Sequence, residues 1–364
     1  MTAWTGARAV VLTPGMAGAD GISELSRLVV RALASAMPLE VVSLGDTPRD
    51  LGDLHAPPRV RGSGSRGRKL YWAGAALRAA LTGARPAHVA CLHLHLAGLG
   101  WLVAAARRSQ LAVFLIGIEV WKPLTLIQRW ALGHADVLIA ISHHTARRFR
   151  EANPALATRS VRVCHPGVRE QSAEGDSELD EPDPFALIVG RMAAHERYKG
   201  HDLLLDMWPR VMAEVPHARL VVTGDGDDRG RLEAKAAALG DRVCFTGRVG
   251  AVTLAALYRR CGFFVMPSRD EGFGLVFLEA MRAGKACIGG VGAASEVIED
   301  GVTGFVVNPG EPAEVLEAML RLFREPETRD RMGRAGALRV AREFTEAHFG
   351  RRVRDLFGLP EDAP

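Results

Sequence analysis

Short apolar runs of strand length alternate with stretches of helical periodicity along this chain, and the alternation occurs twice. The first series comprises ARAVVLT (7–13), LEVVSL (39–44), HVACLHLHL (88–96), AVFLIGI (112–118), ADVLIAIS (135–142) and VRVCHPGV (161–168). Helical stretches such as ISELSRLVVRALAS separate them. The second series restarts at FALIVG (185–190) and continues through ARLVVTG (218–224), RVCFTG (242–247), FFVMPS (263–268), ACIGG (286–290) and GFVVN (304–308). The end of the chain reads as helix. Parallel strands need long crossovers, usually helices, so strands alternating with helices predict a mainly parallel, doubly wound α/β sheet. Between the series, QSAEGDSELDEPDP (171–184) is polar, acidic and aperiodic, and reads as a linker. A length of 364 residues suits two domains. The expected organisation is a Rossmann-like domain over 1–170 and a second over 185–343, facing across a cleft. Ligands of such sheets sit beyond the carboxyl ends of the strands.

Charge separates the halves. Residues 1–170 carry 21 Lys and Arg against 10 Asp and Glu, and the remainder carries 25 against 32. A basic first half beside an acidic second half suggests an anionic partner for the first half alone: a membrane face, a phosphorylated lipid or nucleic acid. Nucleic acid is disfavoured because tyrosine is rare and no base-stacking motif occurs. No apolar run reaches the roughly 18 residues of a membrane span. The start of the chain reads as a buried strand rather than a signal peptide, because Thr13, Pro14, Gly15 and Asp20 interrupt its apolar run. The five cysteines are scattered, without CxxC or Cys/His spacing, and read as reduced core thiols of a cytoplasmic protein.

SRDEGFGLVFLEAMRAGK (268–285) places Glu271 before a glycine-rich turn and Glu279 inside the helix expected from about Leu275. Gly272 and Gly274 allow a tight turn and close backbone approach to a ligand. Free N–H groups at the helix start favour an anion. At 1.5 Å rise per residue the two acids lie on the order of 10 Å apart, too far to share a proton but suited to either side of a diphosphate. IVGRMAAHERYKGHDLLLD (188–206) ends a strand at Gly190, then sets Arg191 and Lys199 beside a helix start. Two cations there suit a departing phosphate.

Three other stretches leave alternatives open. GMAGADGISELSR (15–27) is glycine-rich after the first strand, but its spacing is not that of nicotinamide-binding proteins. Asp46 stands where a ribose-binding acid could sit, so an oxidoreductase remains an alternative. GDGDD (224–228) contains Asp225 and Asp227 in an Asp-x-Asp pattern that can hold a metal, and equally reads as a turn capping a helix with Asp. RVRGSGSRGRK (59–69) reads as a flexible loop holding Arg59, Arg61, Arg66, Arg68 and Lys69 ahead of an aromatic-bearing helix, suited to an anionic membrane surface.

The run from Glu271 through Gly-Phe-Gly-Leu-Val to Glu279 resembles the E-x7-E signature of retaining glycosyltransferases of family 4, which have the GT-B fold. Val189-Gly190-Arg191 with Lys199-Gly200, TGDGDDRGRLEA, FTGRV, SEVIEDGVTGFVV and HPGV extend the resemblance over nearly the whole chain, most densely over 185–310. The resemblance implies that the second domain holds a nucleotide-sugar donor and the first the acceptor, with no metal and no cofactor. It implies that Glu279 binds the ribose and Glu271 the donor sugar, near the backbone of Gly272, Phe273, Gly274, Leu275 and Val276. Arg191 and Lys199, beside Gly190, would stabilise the leaving diphosphate. The base would lie against Gly247, Arg248 and Val249, and the loop of Gly18 and Gly21 would close over the phosphates. The terminal helix, about 344–364, would cross back to the first domain. VFLIGIEVW (113–121) departs from the family's H-G-x-E pattern by placing Ile116 at the histidine position. Glu119 remains, and His95 is the substitute on the acceptor side.

These readings predict a retaining, metal-independent glycosyltransferase acting on a cell-surface glycan or lipid-linked acceptor, cytoplasmic and peripheral at a membrane. A soluble small-molecule transferase and a catalytically impaired binding module are the alternatives.

Overall fold

The structure, a computed structural model, describes residues 8–169 other than 19, 48, 51–59 and 83, and residues 185–359. The expected linker at 171–184, Arg59 and the side chain of Arg61 lie outside the described residues. The chain divides into two compact units, one of residues up to Gly167 and from Glu346 onward, the other Val168–Thr345.

The first unit is built on a seven-stranded sheet. Its strands are β1 (Ala9–Thr13), β2 (Leu39–Ser43), β3 (Val60–Gly64), β4 (His88–Cys91), β5 (Gln110–Leu115), β6 (Val137–Ala140) and β7 (Val161–Val163). They lie in the order β3-β2-β1-β4-β5-β6-β7, and every pairing is parallel. Crossovers include α1 (Gly21–Ala34), α2 (Lys69–Leu81), α3 (Ala97–Arg107), α4 (Leu126–Gly133) and α5 (His143–Ala152). Helices α1, α4 and α5 start where side chains satisfy free N–H groups. The Asp20 carboxylate accepts from Ile22 and Ser23 at 3.0 Å, Thr125 and Gln128 form a capping box at α4, and Ser142 accepts from Thr145 at 2.9 Å. β1 is buried along its whole length, as a parallel strand covered on both faces must be. Val10 and Leu12 join the core beneath α2 to α5, whereas the Thr13 hydroxyl donates to Ser26 of α1.

Two expectations fail here. Val60–Gly64 is an edge strand and not a flexible loop, so only Ser65–Arg68 links it to α2. Gly64 explains the composition: a Cβ there would stand 2.3 Å from the Asp46 carbonyl oxygen. Arg66, Arg68 and Lys69 are nevertheless exposed. The strand expected over 88–96 stops at Cys91, because the His93 ring accepts from His95 N–H and starts a 3-10 turn over Leu94–Leu96.

The second unit carries a six-stranded sheet, ordered β10-β9-β8-β11-β12-β13, again wholly parallel. Its strands are β8 (Ala186–Val189), β9 (Leu220–Thr223), β10 (Val243–Gly247), β11 (Phe263–Met266), β12 (Ala286–Gly290) and β13 (Gly304–Val307). Its helices include α6 (His201–Glu214), α7 (Arg229–Ala236), α8 (Ala251–Arg260), α9 (Leu275–Arg282), α10 (Ala294–Val297), α11 (Pro312–Arg324) and α12 (Pro326–Glu343). The final helix, α13 (Glu346–Leu356), belongs to the first unit: Glu346 pairs with Arg31 of α1, and Phe357 meets the His88 ring edge-on at 5.3 Å.

Strand order reverses between β1 and β4 in one sheet and between β8 and β11 in the other. Neighbouring loops part at such points, leaving a crevice at the carboxyl ends. The loops after β8 and β11 carry Arg191 and Glu271, which places both at the switch point of the second sheet.

Candidate active site

The loops after β8, β9 and β10 are joined backbone to backbone. Gly190 N–H donates to the Thr223 carbonyl at 3.0 Å, Met192 to Asp225 at 3.0 Å, and Gly224 to Gly247 at 3.0 Å. Such closeness requires glycine: with φ +135°, a Cβ on Gly224 would meet the Gly190 oxygen at 2.0 Å. Gly247 has φ +69°, and its Cβ would meet the Arg229 guanidinium at 2.6 Å. Arg248 beyond it is exposed and Val249 half-buried.

Between the two expected cations stands an acid that sequence reasoning missed. Glu196, only 4% exposed, accepts from Arg191 Nε at 3.1 Å and from Arg191 Nη2, and lies 3.6 Å from Lys199 Nζ. One carboxylate thus anchors both cations. It sits in a 3-10 turn over Ala194–Lys199, whose Tyr198 carbonyl accepts from Arg269 N–H at 2.9 Å and ties the turn to the β11 loop. Its proximity to both Arg191 and Lys199 in the sequence was the available signal. His201 follows at the start of α6. It is buried, and its Nε2 has no hydrogen-bond partner among the described residues. Burial, with Lys199 nearby, holds the imidazole down to about 4, so it is neutral at pH 7.

Glu271 lies at the same place. Burial pushes its carboxyl upward, while Lys199 and the Gly272 N–H favour the ionised form and Glu196 opposes it. Gly274, with φ +92°, turns the chain into α9, and no side chain caps that helix. Its first N–H groups, around Leu275 and Val276, are therefore available to a ligand anion. Phe273 is buried and packs against Phe344, which fixes the turn from behind. Glu279, in the second turn of α9, accepts from the Tyr258 hydroxyl at 2.8 Å. Tyr258 is another functional neighbour the sequence did not reveal; it lies on α8, and burial together with Glu279 raises its pKa well above the ordinary value.

The Asp-rich turn is a brace. The Asp227 carboxylate accepts from Ala194 N–H at 2.9 Å, and Asp225 accepts from Gly226 N–H at 2.9 Å and lies 3.9 Å from Arg229. Buried Asp228 binds Arg197 and Arg231. Contrary to expectation, no aspartate side chain caps α7: Asp228 holds the N-cap position, and its carboxylate is turned to the arginines.

In the first unit, Gly18 lies on the loop between β1 and α1, and Gly21 is the first residue of α1. The Gly18 carbonyl accepts from Arg27 at 2.8 Å, and a Cβ there would meet the Asp20 carboxylate at 2.5 Å. Asp46 is no ribose ligand. It is buried and accepts from Met16 N–H at 2.7 Å, Ala17 N–H at 3.2 Å and the Ser43 hydroxyl at 2.7 Å, so it holds the glycine-rich loop in shape. That occupation removes the support for an oxidoreductase. Glu119 also turns to its own backbone, accepting from Ile116 N–H at 2.7 Å and Gly117 N–H at 3.0 Å. His95 is exposed. His93, beside it at 4.8 Å between ring centres, is the histidine on which the Glu119 charge acts. Burial lowers its pKa, Glu119 raises it and His95 lowers it.

Comparison with known proteins fixes the family. A solved structure from Anabaena, Alr3699/HepE in complex with UDP, superposes with a TM-score of 0.78 at 20% identity, covering 97% of this chain and 99% of that one. A family model described as glycosyl transferases group 1 matches residues 183–325. The GDP-mannose-dependent alpha-(1-6)-phosphatidylinositol monomannoside mannosyltransferase of Mycolicibacterium smegmatis is 30% identical over 273 residues, 66% of this chain and 68% of its own length. The chain belongs to the family 4 glycosyltransferases. Sulfoquinovosyl transferase SQD2 of Arabidopsis thaliana is 32% identical over 230 residues, 62% of this chain but only 41% of that relative's length. In this glycosyltransferase the matched stretch contains Arg191, Glu196, Lys199, Glu271 and Glu279, and the fold is GT-B.

Proposed function

We propose that this glycosyltransferase moves a sugar, with retention, from a nucleoside diphosphate sugar to a glycan or lipid-linked acceptor of a cell-surface polymer. The observation that carries the reading is the convergence at the β8/β11 switch point of Arg191 and Lys199 on one buried acid, beside Glu271 and the uncapped start of α9. Two cations and free backbone N–H groups meet the charge that develops on a departing diphosphate. A carboxylate beside them meets sugar hydroxyls, and Glu279, held by Tyr258, suits ribose hydroxyls.

In the step we infer, the bond from the anomeric carbon to the diphosphate oxygen breaks. The acceptor oxygen bonds to that carbon on the same face, and its proton passes to the departing phosphate. Positioning and leaving-group stabilisation supply most of the rate. The occupation of Asp225 and Asp227 by backbone N–H groups supports a reaction without a metal. The named activity of the Mycolicibacterium relative and the cationic first half favour a lipid-linked acceptor at an anionic membrane face. Ile116 at the family's histidine position favours one other reading, a module that binds the donor without turnover.

Thermal unfolding with a panel of nucleoside diphosphate sugars, with and without EDTA, tests this. A ligand at about 100 times its dissociation constant adds about 2.7 kcal/mol. A shift with one donor, indifferent to EDTA and lost in Glu279→Ala, is expected. No shift with any donor would overturn the reading.

A further inference from the structure

Helix α4 begins with its most apolar side chains in water. Leu126 is 75% exposed, Ile127 71% and Trp130 54%, and across from them on α3 Leu102 is 52% exposed. The Thr125/Gln128 capping box fixes where the helix starts and hence which way Leu126 and Ile127 point. Between α3 and α4 runs a groove of about 610 Å³, within the size range of ligand sites. Its walls are aliphatic and aromatic, with the Trp101 and Trp130 rings edge-on at 5.9 Å. His95 stands among its lining residues and follows β4, at the switch point of the first sheet. The groove therefore includes a polar residue from the end of the unit where a ligand of the sheet is expected.

The stretch of chain that builds the groove is rich in cations. From Val60 to His134 the chain carries ten Lys and Arg against a single acid, Glu119, whose carboxylate is turned to backbone N–H groups. The neighbouring helix α2 adds Leu70, 90% exposed, and Tyr71 next to exposed Lys69. Exposed apolar and aromatic side chains among cations suit an anionic lipid surface. A second copy of this chain suits it poorly, because a two-fold contact would set like charges against each other.

We propose that the α3–α4 groove receives one hydrocarbon chain of the lipid acceptor while the surrounding cations rest on the anionic headgroups. The inference rests on the lipid-linked reading of the acceptor given above. It adds a binding site, with Trp101, Leu102, Ile127 and Trp130 as the residues that hold the chain.

The two tryptophans make the site visible. The full-length protein is mixed with phosphatidylcholine vesicles containing phosphatidylglycerol, brominated along its acyl chains or not, and tryptophan emission and co-sedimentation are recorded. Brominated chains are expected to quench emission at least two-fold more than unbrominated ones, and the double variant Trp101→Phe/Trp130→Phe to lose most of that difference. Gly98→Leu fills the groove, since even a Cβ at Gly98 lies 3.0 Å from Ile127 Cγ2. This variant is expected to sediment with vesicles as before while losing the quenching. Equal quenching in wild type and in a folded Gly98→Leu would overturn the proposal, as would no bromine-dependent quenching in wild type. So would a lipid-free dimer dissociated by Ile127→Glu, which assigns the groove to a second copy. Donor-induced thermal shifts measured on the same samples keep the two readings apart: their loss in wild type would sink the transferase reading and leave the groove result legible.

Discussion

The Tyr258 hydroxyl donates to Oε2 of Glu279 across 2.8 Å, from α8 to α9. It helps to hold the carboxylate in one orientation. Tyr258→Phe keeps the ring and removes the donor. A hydrogen bond to a charged group contributes about 1.5–3 kcal/mol, so affinity for the nucleoside diphosphate is expected to fall at least ten-fold in calorimetric titration. Unchanged affinity would mean that Glu279 does not meet the ligand.

Glu196 is expected to act on rate more than on binding. Glu196→Gln retains size but releases Arg191 and Lys199 from their common anchor. Cations placed less accurately lose transition-state stabilisation. The expected result is a fall in kcat of about 10–100-fold with KM for the donor changed by less than about three-fold. A KM effect alone would assign Glu196 to ground-state binding.

His201 gives the second unit an acid limit. Its folded pKa of about 4 lies below the free value of 6.5, so the unfolded chain binds more protons between these limits. Stability is complete above 6.5 and is lost as pH falls toward 4, by up to about 3 kcal/mol at 1.36 kcal/mol per pH unit. The urea midpoint of wild type is expected to drop between about pH 7 and pH 4.5 by more than that of His201→Gln. Parallel curves would exclude this residue as the source.

Ile116 is half-buried, with its N–H bound by Glu119. Ile116→His should leave that backbone bond in place and add a polar ring. Turnover or donor preference is expected to change in a panel of nucleotide sugars; identical kinetics would place the side chain outside the sugar site.

Asp227→Asn should retain an acceptor for Ala194 N–H and so retain turnover, in EDTA as in buffer. Loss of turnover restored by a divalent cation would revive a metal role for the Asp-rich turn.

Burial makes strands readable, and its absence hides them. AVVLT and FFVM are continuous apolar runs because helices cover both faces of their sheets, whereas VRGSG at the sheet edge has no such pattern, although its backbone pairs with β2 just as fully. Gly274 was legible as a tight turn and takes φ +92° there, whereas the close approach of Gly224 to Gly190 carried no sequence signal. Side-chain partners were less legible. Asp46 stood at a plausible spacing for a ribose ligand, yet its oxygens serve two N–H groups of the loop after β1 and the Ser43 hydroxyl. Glu196 and Tyr258 gain their roles from residues brought near by the fold, and a spacing rule cannot see the carboxylate at the end of a side chain.

The α1–α13 contact makes the first unit discontinuous in sequence. During synthesis, α1 waits for over 300 residues before its ionic partner Glu346 exists. Until then its face is open to water and to other chains in the cell. A fragment cut at Gly167 would keep every strand of its sheet and still lack this cover, so a protease that nicked the protein near Thr345 should weaken a unit whose sheet it never touched.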